Sequence, residues 1–268
     1  MGILSEIKNL LPHAIDILFP PRCLVCERDL KLADIDSKEI LPPFRSIWER
    51  IIDERAFCPT CFSELPFIRG PVCARCGSPL SIENYQQPDI CGECLVFPPP
   101  FISAISLGFY GGSLQKSIEL LKYRNQRSIA RPLGHLLSIV SETWIKSHAI
   151  DVILPIPLHK KRIRERGYNQ SALIARAMGS YTGLPVEIDS LIRVRNTMPQ
   201  VSLRINEREK NVKGAFKVRD PERIKGKRVL LLDDVITTGS TIKEATKSLI
   251  SSGIEEVFVI TIARVMRI

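Results

Sequence analysis

The chain has 268 residues, 44% hydrophobic and 25% charged. That is the composition of a globular protein with room for one full α/β domain and a smaller appendage. Its net charge of +9 is unevenly placed: residues 1–100 balance at −4 and residues 101–268 at +13. The second part is therefore the one suited to polyanions. No secretory leader is expected, because Glu6, Lys8, Pro12 and Asp16 interrupt the opening segment. No membrane span is expected either, since the long uncharged run from Cys94 to Gln115 holds three prolines and three glycines. A cytoplasmic protein is the consistent expectation.

In chain order, apolar residues at Ile3, Ile7, Leu10, Leu11, Ala14, Ile15 and Leu18 predict a short amphipathic helix within residues 1–20. All eight cysteines follow in residues 21–100, as four Cys-x-x-Cys pairs: Cys23/Cys26, Cys58/Cys61, Cys73/Cys76 and Cys91/Cys94. Two such pairs supply the four thiolates of a tetrahedral zinc site, so eight cysteines make two closed, structural Zn2+ sites. Disulfides are the competing reading, disfavoured in a reducing compartment. Pairing in sequence order gives two consecutive zinc ribbons, and an interleaved cross-brace satisfies the same spacing. Gly77 and Gly92 stand where a knuckle turns tightly.

Pro98-Pro99-Pro100 marks the expected boundary to a third part, residues 101–268. Ile102–Tyr110 reads as a strand, Ser113–Lys122 and Ile129–Lys146 as helices, with Lys122, Tyr123, Arg124, Arg127 and Arg131 making a basic corner between them. Asp151–Leu154 is a buried strand, closed by the prolines of Pro155-Ile156-Pro157. A cationic stretch, Lys160–Gln170, leads into a helix through Ala177. Ile188–Val194 predicts a short strand, and Arg204–Lys213 a charged helix. Four aliphatics, Val229–Leu232, then run without polar alternation, as in a strand covered on both faces. A helix over Ile242–Ser251 and a last buried strand over Glu256–Ala263 complete a strand–helix alternation that gives a parallel sheet.

The chemistry gathers after Leu232, where Asp233-Asp234-Val235-Ile236 leads into Thr237-Thr238-Gly239-Ser240-Thr241. Ligands of parallel sheets collect where strands end and helices begin. The turn from Thr237 to Thr241 offers backbone N–H groups, hydroxyls and a helix N-terminus, which suit a phosphate. Asp233 and Asp234 suit the vicinal hydroxyls of a sugar. A phosphate and a diol one short turn apart describe ribose 5-phosphate. No Walker A string and no G-x-G-x-x-G fingerprint occurs.

The string Leu230-Leu231-Leu232-Asp233-Asp234-Val235-Ile236-Thr237-Thr238-Gly239-Ser240-Thr241 resembles the phosphoribosyl pyrophosphate (PRPP) signature of type I phosphoribosyltransferases. With Leu121-Lys122-Tyr123, the run Pro155-Ile156-Pro157-Leu158-His159 to Gly167-Tyr168-Asn169-Gln170, and the block Arg193, Pro199-Gln200, Arg208, Asn211, Gly214-Ala215-Phe216, the whole chain resembles the ComF family of bacteria. That resemblance implies a type I phosphoribosyltransferase-like α/β sheet, helices on both faces, behind a double zinc ribbon. It implies PRPP with Mg2+ as ligand and glycosyl transfer to a nitrogenous acceptor. Pro157, Leu158, His159, Lys160 and Arg162 would face the diphosphate, and a loop carrying Arg193 and Arg208 would close over the reacting centre beside Asp233 and Asp234. The zinc ribbons would stand in for the hood that contacts the base. Family members are associated with uptake of transforming DNA. A non-catalytic single-stranded-DNA module is the alternative reading, with the +13 balance behind it and Tyr123, Tyr168 and Tyr181 as candidate stacking residues.

Overall fold

The computed structural model describes residues 21–30, 40, 44–80, 89–198 and 205–266. The helix expected over Ile3–Leu18 lies outside them. The chain divides into two compact units between Leu65 and Pro66.

The smaller unit holds helices α1 (Arg45–Ile51) and α2 (Pro59–Ser63). Its core is aromatic: Trp48 and Phe62 are buried, with ring centroids 5.0 Å apart. Cys58 caps α2, its sulfur accepting the Cys61 N–H at 3.4 Å. Pro59 follows in the first helical position, where a missing N–H costs nothing. The larger unit begins with a knuckle of the same design and helix α3 (Gly92–Val96), which Cys91 caps by position.

The two knuckles repeat each other bond for bond. Cys23 N–H donates to Arg28 O at 2.8 Å and Glu27 N–H to Cys23 O at 2.8 Å; Cys73 N–H donates to Ser78 O at 2.7 Å and Gly77 N–H to Cys73 O at 2.8 Å. Isolated bridges Arg22–Asp29 and Val72–Pro79 close the two loops alike. The residue after the second cysteine is left-handed in both, Glu27 at φ 62° and Gly77 at φ 71°. What differs is the surroundings. A Cβ on Gly77 would stand 2.4 Å from the carbonyl oxygen of Ala104, so backbone packs on backbone there. Gly92, expected to serve a turn, instead opens α3 and needs no special conformation.

The rest of the larger unit is the expected α/β fold. In chain order come β1 (Ser103–Phe109), α4 (Gly112–Tyr123), α5 (Ala130–Ser147), β2 (Val152–Pro155), α6 (Lys160–Arg166), α7 (Gln170–Thr182), β3 (Leu191–Arg193), α8 (Ile205–Val212), β4 (Phe216–Val218), β5 (Val229–Ile236), α9 (Ser240–Ile250) and β6 (Val257–Arg264). The main sheet is parallel, in the order β1-β6-β5-β2, and β3 and β4 form a separate antiparallel pair. Val229, Leu230, Leu231 and Leu232 are all fully buried. Successive residues point to opposite faces, so both faces are covered. One face meets Ile242, Ala245 and Leu249 of α9 within a single core cluster. The central position of β5 puts Asp233 and the turn after it between two neighbouring strands, β2 and β6.

Two elements differ from expectation. The helix beginning at Gln170 runs to Thr182 rather than ending at Ala177, stopped by Gly183 at φ 75°. Lys160–Arg166, within the cationic stretch expected to precede that helix, itself forms α6. Only Ile163 is apolar there, so no periodicity marks the helix; its local signals are the His159 ring nitrogen accepting Lys161 N–H at 3.3 Å and Gly167 at φ 83°.

Gly77→Ala is expected to cost roughly 2–4 kcal/mol, from left-handed strain plus the overpacking against Ala104. Glu27→Gly carries no such penalty. Chemical denaturation of both variants, with zinc content measured alongside, checks the asymmetry.

Candidate functional site

The end of β5 places two carboxylates side by side. Asp234 is buried to 4% exposure while Asp233 keeps part of its surface open. Asp233 Oδ1 accepts from Ser171 Oγ at 3.1 Å and from the Asp234 N–H at 2.9 Å. Asp234 Oδ1 takes an ion pair from Lys122 Nζ at 2.9 Å, with Lys122 only 20% exposed along its side chain. The second oxygen of Asp234 is buried and has no donor. A buried acceptor left unmade costs on the order of 1–3 kcal/mol, and such atoms call for a missing partner. A sugar hydroxyl is a donor of the right kind.

Electrostatics sharpen the picture. Burial first, then the charge of Asp234, push the Asp233 carboxyl up to about 7, against the opposing pull of Lys122 and the two hydrogen bonds. Burial acts to lower the Lys122 ammonium, but Asp234 and Asp233 outweigh it and hold its pKa above the ordinary value. One cation thus serves two acids, and Lys122, expected in a basic corner and in the Leu121-Lys122-Tyr123 block, is the residue that makes the pair tenable.

Beyond Asp234 the turn is as the sequence promised. Gly239 sits at φ 76° immediately before α9. A Cβ there meets only ordinary contacts at 3.7 Å and beyond, so glycine is required by conformation rather than by space. Thr238 Oγ1 and Ser240 Oγ lie 2.7 Å apart, and Ser240 N–H reaches Thr238 Oγ1 at 3.4 Å. Val235, Thr237 and Thr238 are half-buried, while Ser240 is buried at the start of the helix.

On the opposite side, the segment Pro157-Leu158-His159 leaves β2 and enters α6. Asn169 ties this segment to α7: its Nδ2 donates to Ile156 O at 2.9 Å and its Oδ1 accepts Ser171 N–H at 3.1 Å. Pro157, Leu158, His159 and Lys160 line a cavity of about 650 Å3 that Arg193 also reaches. Arg162 belongs to a neighbouring cleft of about 600 Å3, with Lys122, Tyr123, Lys161, Arg166 and Thr197. Arg162 and Arg193 meet at Thr197: Arg162 donates to its carbonyl at 3.3 Å and Arg193 to its hydroxyl. Burial, with nearby Arg162, lowers the Arg193 pKa while Asp233 opposes the change, so Arg193, Arg162 and Asp233 share one electrostatic neighbourhood. Arg208 lies on α8. In the loop expected to close, residues 199–204 lie outside the described residues; at its near end the Asn211 amide holds Met198 by two bonds, 3.1 and 2.9 Å. Of the candidate stacking residues, Tyr168 is buried beneath Arg127 and donates its hydroxyl to Leu121 O, and Tyr181 stacks on His135 at 3.8 Å. Tyr123 remains 68% exposed.

The cysteines fall into two groups in sequence order, Cys23/Cys26/Cys58/Cys61 and Cys73/Cys76/Cys91/Cys94, with the sulfurs of each group within 4.8 Å of one another. This decides between the consecutive and interleaved arrangements. Cys26 and Cys58 sulfurs are 3.7 Å apart, as are those of Cys76 and Cys91. A tetrahedral zinc with bonds of about 2.3 Å spaces its sulfurs by about 3.8 Å, whereas a disulfide needs about 2.05 Å. Burial raises the Cys73 thiol, yet N–H groups of Cys76, Cys91 and Arg75 outweigh it and bring its pKa to about 7. Burial and the crowding of Cys76 drive Cys94 the other way. Four thiolates this close are stable only around a cation, and both sets fit structural Zn2+.

Residues 156–267 match the phosphoribosyl transferase domain, and residues 47–95 match the double zinc ribbon domain. Sheet, acidic pair and cysteine sets together define a zinc-ribbon protein with a phosphoribosyltransferase-type domain. Among curated proteins, the chain is 33% identical over 217 residues to competence protein F of Haemophilus influenzae, covering 80% of this chain and 92% of that one. It is 29% identical to DNA utilization protein YhgH of Escherichia coli K12 (73% and 85% covered) and 25% identical to competence protein ComFC of Bacillus subtilis (86% and 89% covered). The chain belongs to the ComF family. No helix among the described residues is long and apolar enough to cross a membrane.

The raised Asp233 pKa makes the folded state hold a proton that the unfolded chain has released between about pH 4 and 7. Stability of the ligand-free protein should therefore fall as pH rises through that window. Asp233→Asn is expected to flatten the fall, read from urea midpoints at pH 5 and pH 7.5.

Proposed function

We propose that this protein binds PRPP and transfers its ribose 5-phosphate to a nitrogenous acceptor in the handling of incoming DNA. The observation that carries the reading is the acidic pair, one member holding a donor-less buried oxygen, placed a short turn before the hydroxyl-lined Gly239 bend. In this reading Thr237, Thr238, Gly239, Ser240 and Thr241 hold the 5-phosphate, and Asp233 and Asp234 accept the two ribose hydroxyls. Lys122 occupies one oxygen of Asp234, which leaves the other to accept. Mg2+ bound together with the diphosphate would offset its charge.

In the reaction the bond from ribose C1 to the diphosphate oxygen breaks, a C1–nitrogen bond forms, and diphosphate leaves with the electron pair. The sugar carbon becomes cation-like between those events. Positioning and charge stabilisation account for catalysis of this kind. Arg193 and Arg162, together with Pro157–Lys160, are the groups available to receive the departing charge. The association with DNA comes from relatives named competence proteins and DNA utilization proteins.

A second reading is favoured by one observation: the cleft containing Lys161, Arg162 and Arg166 ends in an exposed tyrosine, Tyr123. A single DNA strand fits such a cationic groove, its binding weakening steeply with salt. Reversing the charges of Lys161, Arg162 and Arg166 should then release a labelled oligonucleotide; retention at unchanged affinity removes this reading.

For the transferase reading, Asp233→Ala/Asp234→Ala should weaken calorimetric PRPP–Mg2+ binding at least about tenfold, the loss expected for charge-assisted hydrogen bonds. Equal binding by wild type and variant, or none by either, would falsify the assignment. Diphosphate release in a screen of purine, pyrimidine and small amine acceptors identifies the class of acceptor.

A further inference from the structure

We propose that Arg264 and the second zinc ribbon brace the phosphate-binding turn, so that zinc held by Cys73, Cys76, Cys91 and Cys94 sets the affinity for the sugar phosphate. The ligand in this proposal rests on the reading of residues 237–241 given above; the mechanical link does not.

Arg264 ends β6 and is paired in register with Ile236, the last residue before the turn. The next residue, Val265, donates its N–H to Ile236 O at 2.9 Å. The Arg264 side chain is directed the other way, into the ribbon. Its guanidinium donates to Ser78 Oγ at 3.0 Å and to the carbonyl of Cys76. Ser78 Oγ lies 3.2 Å from Cys76 Sγ. When Cys76 is a zinc thiolate, the Ser78 hydroxyl donates to that sulfur while its oxygen accepts from Arg264, so the hydroxyl is used in both directions. A continuous chain of bonds then runs from the metal through Cys76, Ser78 and Arg264 to the backbone at Ile236.

Two further contacts seat the ribbon. Ser103 Oγ donates to Ala74 O at 2.7 Å, and Gly77 lies flat against Ala104. The space left between ribbon and turn, bounded by Cys76, Ser78, Phe97, Thr237, Gly239 and Arg264, is about 30 Å3. That admits about one water molecule. The ribbon therefore supports the turn from behind, and this gap has no room for a base.

The dependence on metal follows from the burial of the cation. Arg264 is 5% exposed, and a buried guanidinium stripped of acceptors is costly. A knuckle built on four thiolates owes its fold to its metal. Loss of zinc withdraws Cys76 O and Ser78 Oγ together, and with them the two bonds that hold Arg264, the register partner of Ile236, to the ribbon. Arg264 is in this sense a positioning residue: it acts on the phosphate through the turn and touches no substrate.

The test uses the full zinc-loaded chain, with Cys91→Ser to empty the second site and Arg264→Met and Arg264→Lys to cut and restore the link. Zinc content, amide hydrogen exchange in the peptide spanning residues 235–243, and calorimetric PRPP–Mg2+ binding are measured on each. Cys91→Ser should lose one zinc, exchange that peptide at least tenfold faster and bind PRPP at least tenfold more weakly. Arg264→Met should reproduce the exchange and binding changes with both zincs retained, and Arg264→Lys should recover most of the protection. Unchanged exchange in Arg264→Met, whatever the behaviour of Cys91→Ser, overturns the proposal. If wild-type protein takes no PRPP, the ligand reading fails alone, and the exchange comparison still decides the link.

Discussion

Two acids following four fully buried strand residues repel each other, and the arrangement is relieved by Lys122, which reaches Asp234 from helix α4. Everything around the site follows from that balance. Ser171 and a backbone N–H take one oxygen of Asp233, and β5 lies between β6 and β2 in the sheet. Burying two carboxylates against one ammonium is poor for stability. It is well suited to a site that must offer acceptors in a fixed place before its ligand arrives.

Metal and sheet divide the labour. The sheet fixes where the acids and the turn stand relative to the β2 loop, because β5 is hydrogen-bonded to β2 on one side and β6 on the other. The cysteine sulfurs are preplaced by N–H bonds and, at Cys58, a helix cap, in sets of four that fit a structural cation. The second of these sets belongs to the same compact unit as the sheet, as the proposed link to the turn requires.

Much of this was legible in the residues. Val229–Leu232 announced a strand covered on both faces, the Asp233–Thr241 string announced the strand end, the turn and the helix start, and four Cys-x-x-Cys pairs announced two metal sites. What stayed hidden were relations across the chain. Lys122 lies more than a hundred residues from Asp234, and a lysine at a helix end usually points to water; its place in the Leu121-Lys122-Tyr123 block did not name its partner. Arg264 lies just past the expected last strand, and nothing nearby named Ser78 as its acceptor. Helix α6 was missed because six of its seven residues are charged, leaving capping as the sole signal. The pairing of the knuckles was undecidable from spacing, which both arrangements satisfy equally.

The twin knuckles also offer a way to read others of their kind. Their backbones trace the same turn with the same left-handed residue, yet one carries glutamate there and the other glycine. A side chain is tolerated where the bend looks outward and forbidden where it is pressed against another main chain. In a tandem of such modules, the amino acid following the second cysteine therefore tells which member is built into its neighbour, before any coordinates exist.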